Sequence, residues 1–281
     1  MAHQDDDIKK HTRAAALLSA DFAAAVEMSD GMKVFKKEDG TSLVAFEGVS
    51  LSVQPREFVC VLGPSGCGKT TMLRCMAGLE ALTRGGLTVF GKPVSGVHRD
   101  VAVVFQRPVL LPWLTVAENV QLPLRVGGYG RRDSGVSAKE RVAALLELVG
   151  LAGFEAAYPY ELSGGMQQRA SIARALSRDP GILMMDEPFG ALDALTRQHM
   201  NFELVNIWHK SGSTIVLVTH NIHEALILAD RVVVMSERPG RIVKELLIDL
   251  PRPRTAKSLK DEPDHYLGLV REIEECLGVA E

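Results

Sequence analysis

The sequence predicts an α/β fold with a mainly parallel core sheet, an N-terminal antiparallel β portion and an inserted helical subdomain. Three observations carry that expectation. From about residue 22, short apolar runs alternate with amphipathic helical stretches. The clearest runs are EFVCVLG (57–63), VAVVF (101–105), GILMMDE (181–187), TIVLVTH (214–220) and RVVVMS (231–236). They are continuously apolar, as strands covered on both faces should be. Between about 107 and 165, strand patterning gives way to helical patterning alone.

The elements follow in order. Residues 1–21 read as an extension with little order. Its most apolar part, AAALLSADFAAAV (14–26), comes after Asp5, Asp6 and Asp7, and Asp21 interrupts it, so a signal peptide is not expected. Two short strands, near Ala25–Met28 and Leu43–Phe46, turn at KKEDG. In the helical block, LTVAENVQLPL opens with Thr115 and Glu118 at capping-box spacing. A loop, GGYGRRDSG (127–135), separates it from the amphipathic SAKERVAALLELVGL. After His220 come a helix over IHEALILAD, a strand, a turn at ERPGR, another strand and LPRPR. A last helix places Tyr266, Leu269, Val270, Ile273 and Leu277 on one face. The expected division is therefore the extension 1–21 and a single domain over 22–281.

Composition narrows the function. A net charge of −3 over 281 residues argues against a general nucleic-acid surface. Cys60, Cys67, Cys75 and Cys276 form no C-x-x-C pair and read as reduced core thiols. No apolar run approaches the roughly 18 residues that span a bilayer, so any membrane role comes through a partner chain.

GPSGCGKT (63–70) follows a strand, precedes a helix and fits G-x-x-x-x-G-K-[ST], which makes the core a P-loop NTPase core. Gly63, Gly66 and Gly68 let successive backbone N–H groups turn inward onto phosphate, and the helix N-terminus adds partial positive charge. Lys69 then reaches the β- and γ-phosphates, the Thr70 hydroxyl ligates Mg²⁺, and Thr71 lies beside the α-phosphate. The whole stretch, with Pro64, Ser65 and Cys67, is the expected nucleotide-binding set. Cys67 reads as a small filler of the loop.

The apolar strand ending in Asp186 and Glu187 supplies the acidic half. Adjacent strand residues face opposite ways, which separates two tasks: Asp186 holds Mg²⁺, and Glu187 polarises the attacking water as general base. Gln106 and His220 each end a core strand, where a side chain reaches a γ-phosphate, its metal or that water. The other seven histidines read as ordinary polar residues.

LSGGMQQR (162–169) is a second phosphate cradle, with Ser163 as helix cap and Gly164 and Gly165 leaving N–H groups uncovered. One nucleotide does not easily meet both cradles of one chain. Two chains paired head to tail resolve this, each closing its second cradle over the nucleotide of the other, with two ATP molecules buried in a twofold dimer.

Together these residues resemble the nucleotide-binding subunit of ATP-binding cassette (ABC) transporters, over roughly residues 22 to 281. GPSGCGKTT looks like the Walker A motif, ILMMDE the Walker B and LSGGMQQR the signature. The resemblance implies that Ser163, Gly164, Gly165 and Gln168 contact the ATP of a partner chain. It makes Gln106 the Q-loop glutamine and a further Mg²⁺ ligand, His220 the switch histidine, and Asp193 the D-loop aspartate of ALD (191–193). Phe35 falls where the family stacks an aromatic on adenine. FQRPVLLPWLTVAENV and ADRVVVMSERPGRIVKELLIDLPRPR look like the nitrate/sulfonate/taurine importer branch. That branch implies a peripheral ATPase at the cytoplasmic face of the inner membrane, with a polytopic permease, a separate solute-binding protein and no nucleic acid. In that setting RPVLLPWL forms part of a groove for a permease helix, with Trp113 as its anchor or, equally, packed within the helical subdomain. Two features depart from the family pattern: the extension 1–21 has no assignable counterpart, and the C-terminus is too short for the regulatory domain of some sugar importers. The competing class is a soluble ABC-type ATPase acting on nucleic acid or ribosomes; a P-loop kinase or GTPase would leave LSGGMQQR without a task.

Overall fold

A computed structural model describes residues 24–126, 137–190, 192–252, 254 and 263–278. In chain order the elements are β1 (Val26–Lys36), β2 (Ser42–Val53), β3 (Phe58–Leu62), α1 (Lys69–Met76), β4 (Arg84–Val89), β5 (Lys92–Pro93) and β6 (Val101–Val104). Then follow α2 (Val116–Val126), α3 (Ala138–Leu148), a 3-10 turn (Pro159–Glu161), α4 (Gly164–Leu176), β7 (Ile182–Asp186) and α5 (Ala194–Ser211). The chain closes with β8 (Thr214–Thr219), α6 (Ile222–Leu228), β9 (Arg231–Met235), β10 (Ile242–Leu247) and α7 (Pro263–Leu277). Residues 1–21 and the loop 127–135 lie outside the described residues. None of the described helices is long and apolar enough to cross a membrane.

The described chain forms two compact units. The first holds residues up to 98 and those from 214 onward; the second holds 99–213.

In the first unit, β3 runs parallel to both β8 and β9, and β10 closes the edge antiparallel to β9. All five residues of β3 and all six of β8 are buried. Each large aliphatic or aromatic side chain sealed this way contributes about 1.5–3 kcal/mol. Such continuous burial leaves no polar face, which is why these strands read as unbroken apolar runs. A second, antiparallel sheet has the order β2-β1-β4-β5. Both of its first strands are much longer than the short runs the sequence signals. Register shifts at Met28/Gly31, Gly31/Lys33 and Lys33/Val34, with Asp30 at φ 47°, break the two-residue alternation that would have revealed the full length. Helix α6 packs on β3 and β8, and α7 lies on β9 and α6. Leu269, Val270 and Ile273 of the expected α7 face are buried.

The LPRPR segment is tied down by charge. Arg254 is 5% exposed and donates to the carbonyls of Leu226, Ala229, Ile248 and Leu250. Burial brings its pKa down to about 10.

In the second unit, β6 and β7 pair in parallel, and α2, α3 and α4 pack on one another. The Thr115–Glu118 capping box forms as expected: Glu118 accepts the Thr115 N–H at 2.8 Å and Thr115 Oγ1 accepts the Glu118 N–H at 3.3 Å. Ser137 and Glu140 cap α3 in the same reciprocal way.

Candidate functional site

The first cradle begins where β3 ends. Gly66 and Gly68 take φ values of 77° and 105°, in the region that favours glycine. At Gly68 there is also no room: a methyl group there would stand 2.5 Å from the Ala45 carbonyl oxygen. The loop therefore lies flush against β2, and α1 starts at once with Lys69. That lysine is 5% exposed, and its ammonium donates to the carbonyls of Gly63 (2.7 Å) and Pro64 (2.9 Å). Its charge is thus held within the loop, by weakly competing carbonyl partners that phosphate oxygens can replace. Thr70 and Thr71 occupy the first turn of α1, half-buried, while Ser65 is exposed. Cys67 is 1% exposed, consistent with a filler of the loop.

Phe35, near the end of β1, is 36% exposed. The Lys33 ammonium lies 4.9 Å from the centre of its ring and is anchored by Glu80 (3.0 Å) and the Ala81 carbonyl (2.9 Å). One face of the ring is therefore backed by a cation.

His220 is exposed directly after β8. The turn presenting it is held by groups that motif reading passed over. Thr219 donates its hydroxyl to the buried Glu224 carboxylate and accepts the Asn221 N–H at 3.1 Å. Asn221 Oδ1 in turn caps α6 by accepting the Glu224 N–H at 3.0 Å. The N-x-x-E spacing of Asn221 and Glu224 was the available signal.

In the second unit, β7 ends at Asp186, and Glu187 already sits at φ 43°, a left-handed conformation costing a non-glycine residue about 1–3 kcal/mol. The expectation that strand alternation separates the two carboxylates is corrected here: a turn does it, closed by the Gly190 N–H on the Glu187 carbonyl at 3.1 Å. A methyl group on Gly190 would lie 3.4 Å from Gln106 Nε2 and 3.5 Å from Glu187 Oε2. The side chains of Gln106 and Glu187 thus converge on one glycine, far apart in sequence though they are.

Ser163 caps α4 as the sequence indicates, its Oγ accepting the Met166 N–H at 3.3 Å. Ser163 and Gly164 are exposed; Gly165 is buried, where a methyl group would press within 3.2 Å of Thr196 Cγ2. Gln168 departs from expectation. It is 2% exposed and donates to the Phe105 carbonyl at 3.3 Å, because one turn into α4 its side chain faces the unit's interior. A surface contact with a second chain's nucleotide does not suit that position. Asp193 caps α5, accepting the Thr196 N–H at 3.1 Å, and hydrogen bonds from the Thr196 side chain and backbone hold its carboxyl below the usual range.

After Gln106 the chain is fixed by two side chains. Asn119, fully buried, accepts the Leu111 N–H at 2.8 Å and donates to the carbonyls of Leu111, Leu114 and Thr115 at 3.0–3.1 Å. Arg174 donates to the Val109 carbonyl at 2.6 Å. The loop so held displays Trp113 at 70% exposure, which excludes the core-packed alternative for that residue.

Each unit by itself carries oxygen donors: the Thr70 hydroxyl in the first, the Gln106 amide oxygen and the Asp186 carboxylate in the second. These are hard oxygen ligands of the kind Mg²⁺ takes when most of its shell is phosphate and water. Among the described residues no cluster of three or more His, Cys, Asp or Glu could hold a metal by itself.

Residues 46–190 match the family model described as ABC transporter. The chain is 45% identical to the taurine import ATP-binding protein of Burkholderia thailandensis, over 83% of this chain and 90% of that protein. It is 43% identical to the nitrate import ATP-binding protein of Synechocystis sp., over 86% and 91%. Among solved structures it is similar to an ATP-binding cassette captured as a dimer in a post-hydrolysis state with ADP and Pi. The TM-score is 0.69 at 33% identity, covering 79% of this chain and 98% of that one.

Proposed function

This chain belongs to the ABC transporter family, and from that premise we propose that it is the ATP-hydrolysing subunit of a membrane importer for a small anion of the nitrate, sulfonate or taurine type. The observation that carries the reading is the pair of cradles on one chain: the loop 63–68 leading into α1, and the Ser163-capped start of α4 with exposed Gly164. A single-chain nucleotide enzyme has no use for the second.

In this reading Gly63, Pro64, Ser65, Gly66, Cys67 and Gly68 supply backbone groups to the triphosphate, and Lys69 turns from its two carbonyls to the β- and γ-phosphates. Thr71 lies at the α-phosphate, and Phe35 offers the ring face opposite Lys33 to adenine. Thr70, Asp186 and Gln106 would hold Mg²⁺, which would supply neutralising charge at the phosphates. Glu187 takes the proton of the attacking water, and Gln106 and His220 orient it. Ser163, Gly164 and Gly165 close over the nucleotide of a second copy, with Asp193 at the same junction. The dimer forms on ATP and opens on hydrolysis.

Closure works a polytopic permease whose cytoplasmic helix docks at the loop carrying Trp113, an exposed aromatic on a fixed backbone, as binding anchors tend to be. The subunit sits peripherally on the cytoplasmic face of the inner membrane, and a separate solute-binding protein delivers the anion from outside. Affinity purification of the tagged chain from gently solubilised native membranes tests the proposal. A co-purifying polytopic membrane protein supports it; recovery of ribosomes, DNA or soluble partners alone overturns it.

A further inference from the structure

The hairpin loop joining β9 to β10 belongs to none of the nucleotide motifs, yet it meets the phosphate cradle directly. Arg238 donates through both Nε (2.9 Å) and Nη2 (2.6 Å) to the Gly66 carbonyl. Two residues on, Gly240 lies so close to the cradle that a methyl group there would stand 2.1 Å from the Cys67 carbonyl oxygen. Pro64, Ser65 and Gly66 line one surface pocket together with Glu237 and Arg238. The hairpin is itself well fixed. Gly240 exchanges backbone hydrogen bonds of 3.1 Å with Ala45 and Glu47 of β2, and Ser236 Oγ accepts the Arg241 N–H at 3.1 Å. Arg241 pairs with Glu47.

These contacts bear on one peptide plane. The Gly66 carbonyl and the Cys67 N–H belong to the same planar trans peptide and point in opposite directions. With its carbonyl drawn to Arg238, that peptide turns its N–H towards the Pro64 carbonyl, 3.4 Å away, a long bond that a phosphate oxygen can displace. Gly66 has no side chain to resist rotation of this plane, and a rotated plane would aim a carbonyl oxygen at the triphosphate. We infer that Arg238 is a positioning residue for nucleotide binding: its guanidinium holds the Gly66–Cys67 peptide with the carbonyl out and the N–H in, preorganising the cradle for phosphate. The inference rests on the reading of residues 63–70 as the ATP cradle.

The test uses the full chain and compares Arg238→Gln, Arg238→Lys, Arg241→Ala and Lys69→Ala for ATP affinity, KM, kcat and Tm. Arg238→Gln is expected to weaken ATP binding and raise KM about tenfold, the effect of one lost charge-assisted pair. Its kcat at saturating ATP and its Tm stay as in the parent. Arg238→Lys recovers part of the affinity, because a point charge still reaches the carbonyl. Arg241→Ala, which removes a neighbouring ion pair of the same hairpin without touching Gly66, keeps parent affinity. Parent affinity in Arg238→Gln, or an equal loss in Arg241→Ala, overturns the inference. Lys69→Ala separates the two levels: if it still binds ATP as the parent does, the cradle reading itself fails, and the inference with it.

Discussion

The side-chain amide of Gln168 donates to the carbonyl of Phe105 at 3.3 Å, inside the second unit. This joins the second turn of α4, a helix capped by Ser163, to the residue just before Gln106. One buried hydrogen bond thus ties the start of α4 to the Gln106 segment. Gln168→Leu keeps the volume and removes the donor, leaving a carbonyl unpaired at a cost of about 1–3 kcal/mol. The expected result is a Tm lower by a few degrees and a kcat that falls more than KM rises, read by thermal unfolding and steady-state ATPase assays. A variant with the parent's Tm and kcat would break this link.

The two halves of the proposed chemistry separate by mutation. Lys69→Ala removes the ammonium now held by the Gly63 and Pro64 carbonyls and is expected to abolish tight ATP binding. Glu187→Gln keeps the shape of the side chain and is expected to slow turnover about 10²–10⁴-fold, the range for a lost general base, while ATP still drives dimerisation. Equilibrium ATP binding, ATPase rate and ATP-dependent size-exclusion behaviour check these points. Near-normal turnover in Glu187→Gln removes that residue from the role.

Much of this was legible in the sequence, for reasons particular residues make plain. The strands β3 and β8, and β7 as far as Met185, are buried and carry apolar runs, so the reading needed no alternation. The turn of the loop 63–68 was legible because glycine marks backbone that must turn or pass close, as Gly68 does against Ala45. Other features carry no local signature. The length of β1 is hidden by its bulges. Gln168 and Asn119 do their work through carbonyls that any residue type provides, at Phe105, Leu111 and Leu114, so no side-chain pattern announces them. Arg238 acts the same way on Gly66. Side chain to backbone contacts across long sequence separations need the fold before they can be seen.

Trp113 offers a test of docking that leaves catalysis alone. Its loop is fixed by Asn119 and Arg174, and the indole makes up part of the exposed surface. Trp113→Ala is expected to keep the ATPase rate and Tm of the isolated chain and to lose co-purification of the membrane partner. Because Trp208 is 9% exposed, acrylamide should quench the Trp113 emission selectively, and the variant should lose that quenchable component. Partner recovery unchanged in the variant would move the docking site elsewhere.

Acid should loosen the second unit at its helix starts. Hydrogen bonds from Thr115, the backbone N–H foremost, hold Glu118 below the ordinary 4.5 of a glutamate; those from Ser137, the hydroxyl foremost, do the same for Glu140. A carboxylate whose folded pKa is depressed stabilises the fold above its unfolded pKa, and that contribution is lost as pH falls through the folded value. Stability is therefore expected to hold down to about pH 4.5 and to decline below it as each cap protonates. The Ser137–Glu140 cap is exposed and the Thr115–Glu118 cap half-buried, so each contributes modestly and the effect is best seen as a slope. Thermal unfolding between about pH 6 and pH 3 should show a steeper loss for the parent than for a Glu118→Gln, Glu140→Gln double variant, whose caps do not titrate. Identical slopes for the two would assign the acid sensitivity to other groups.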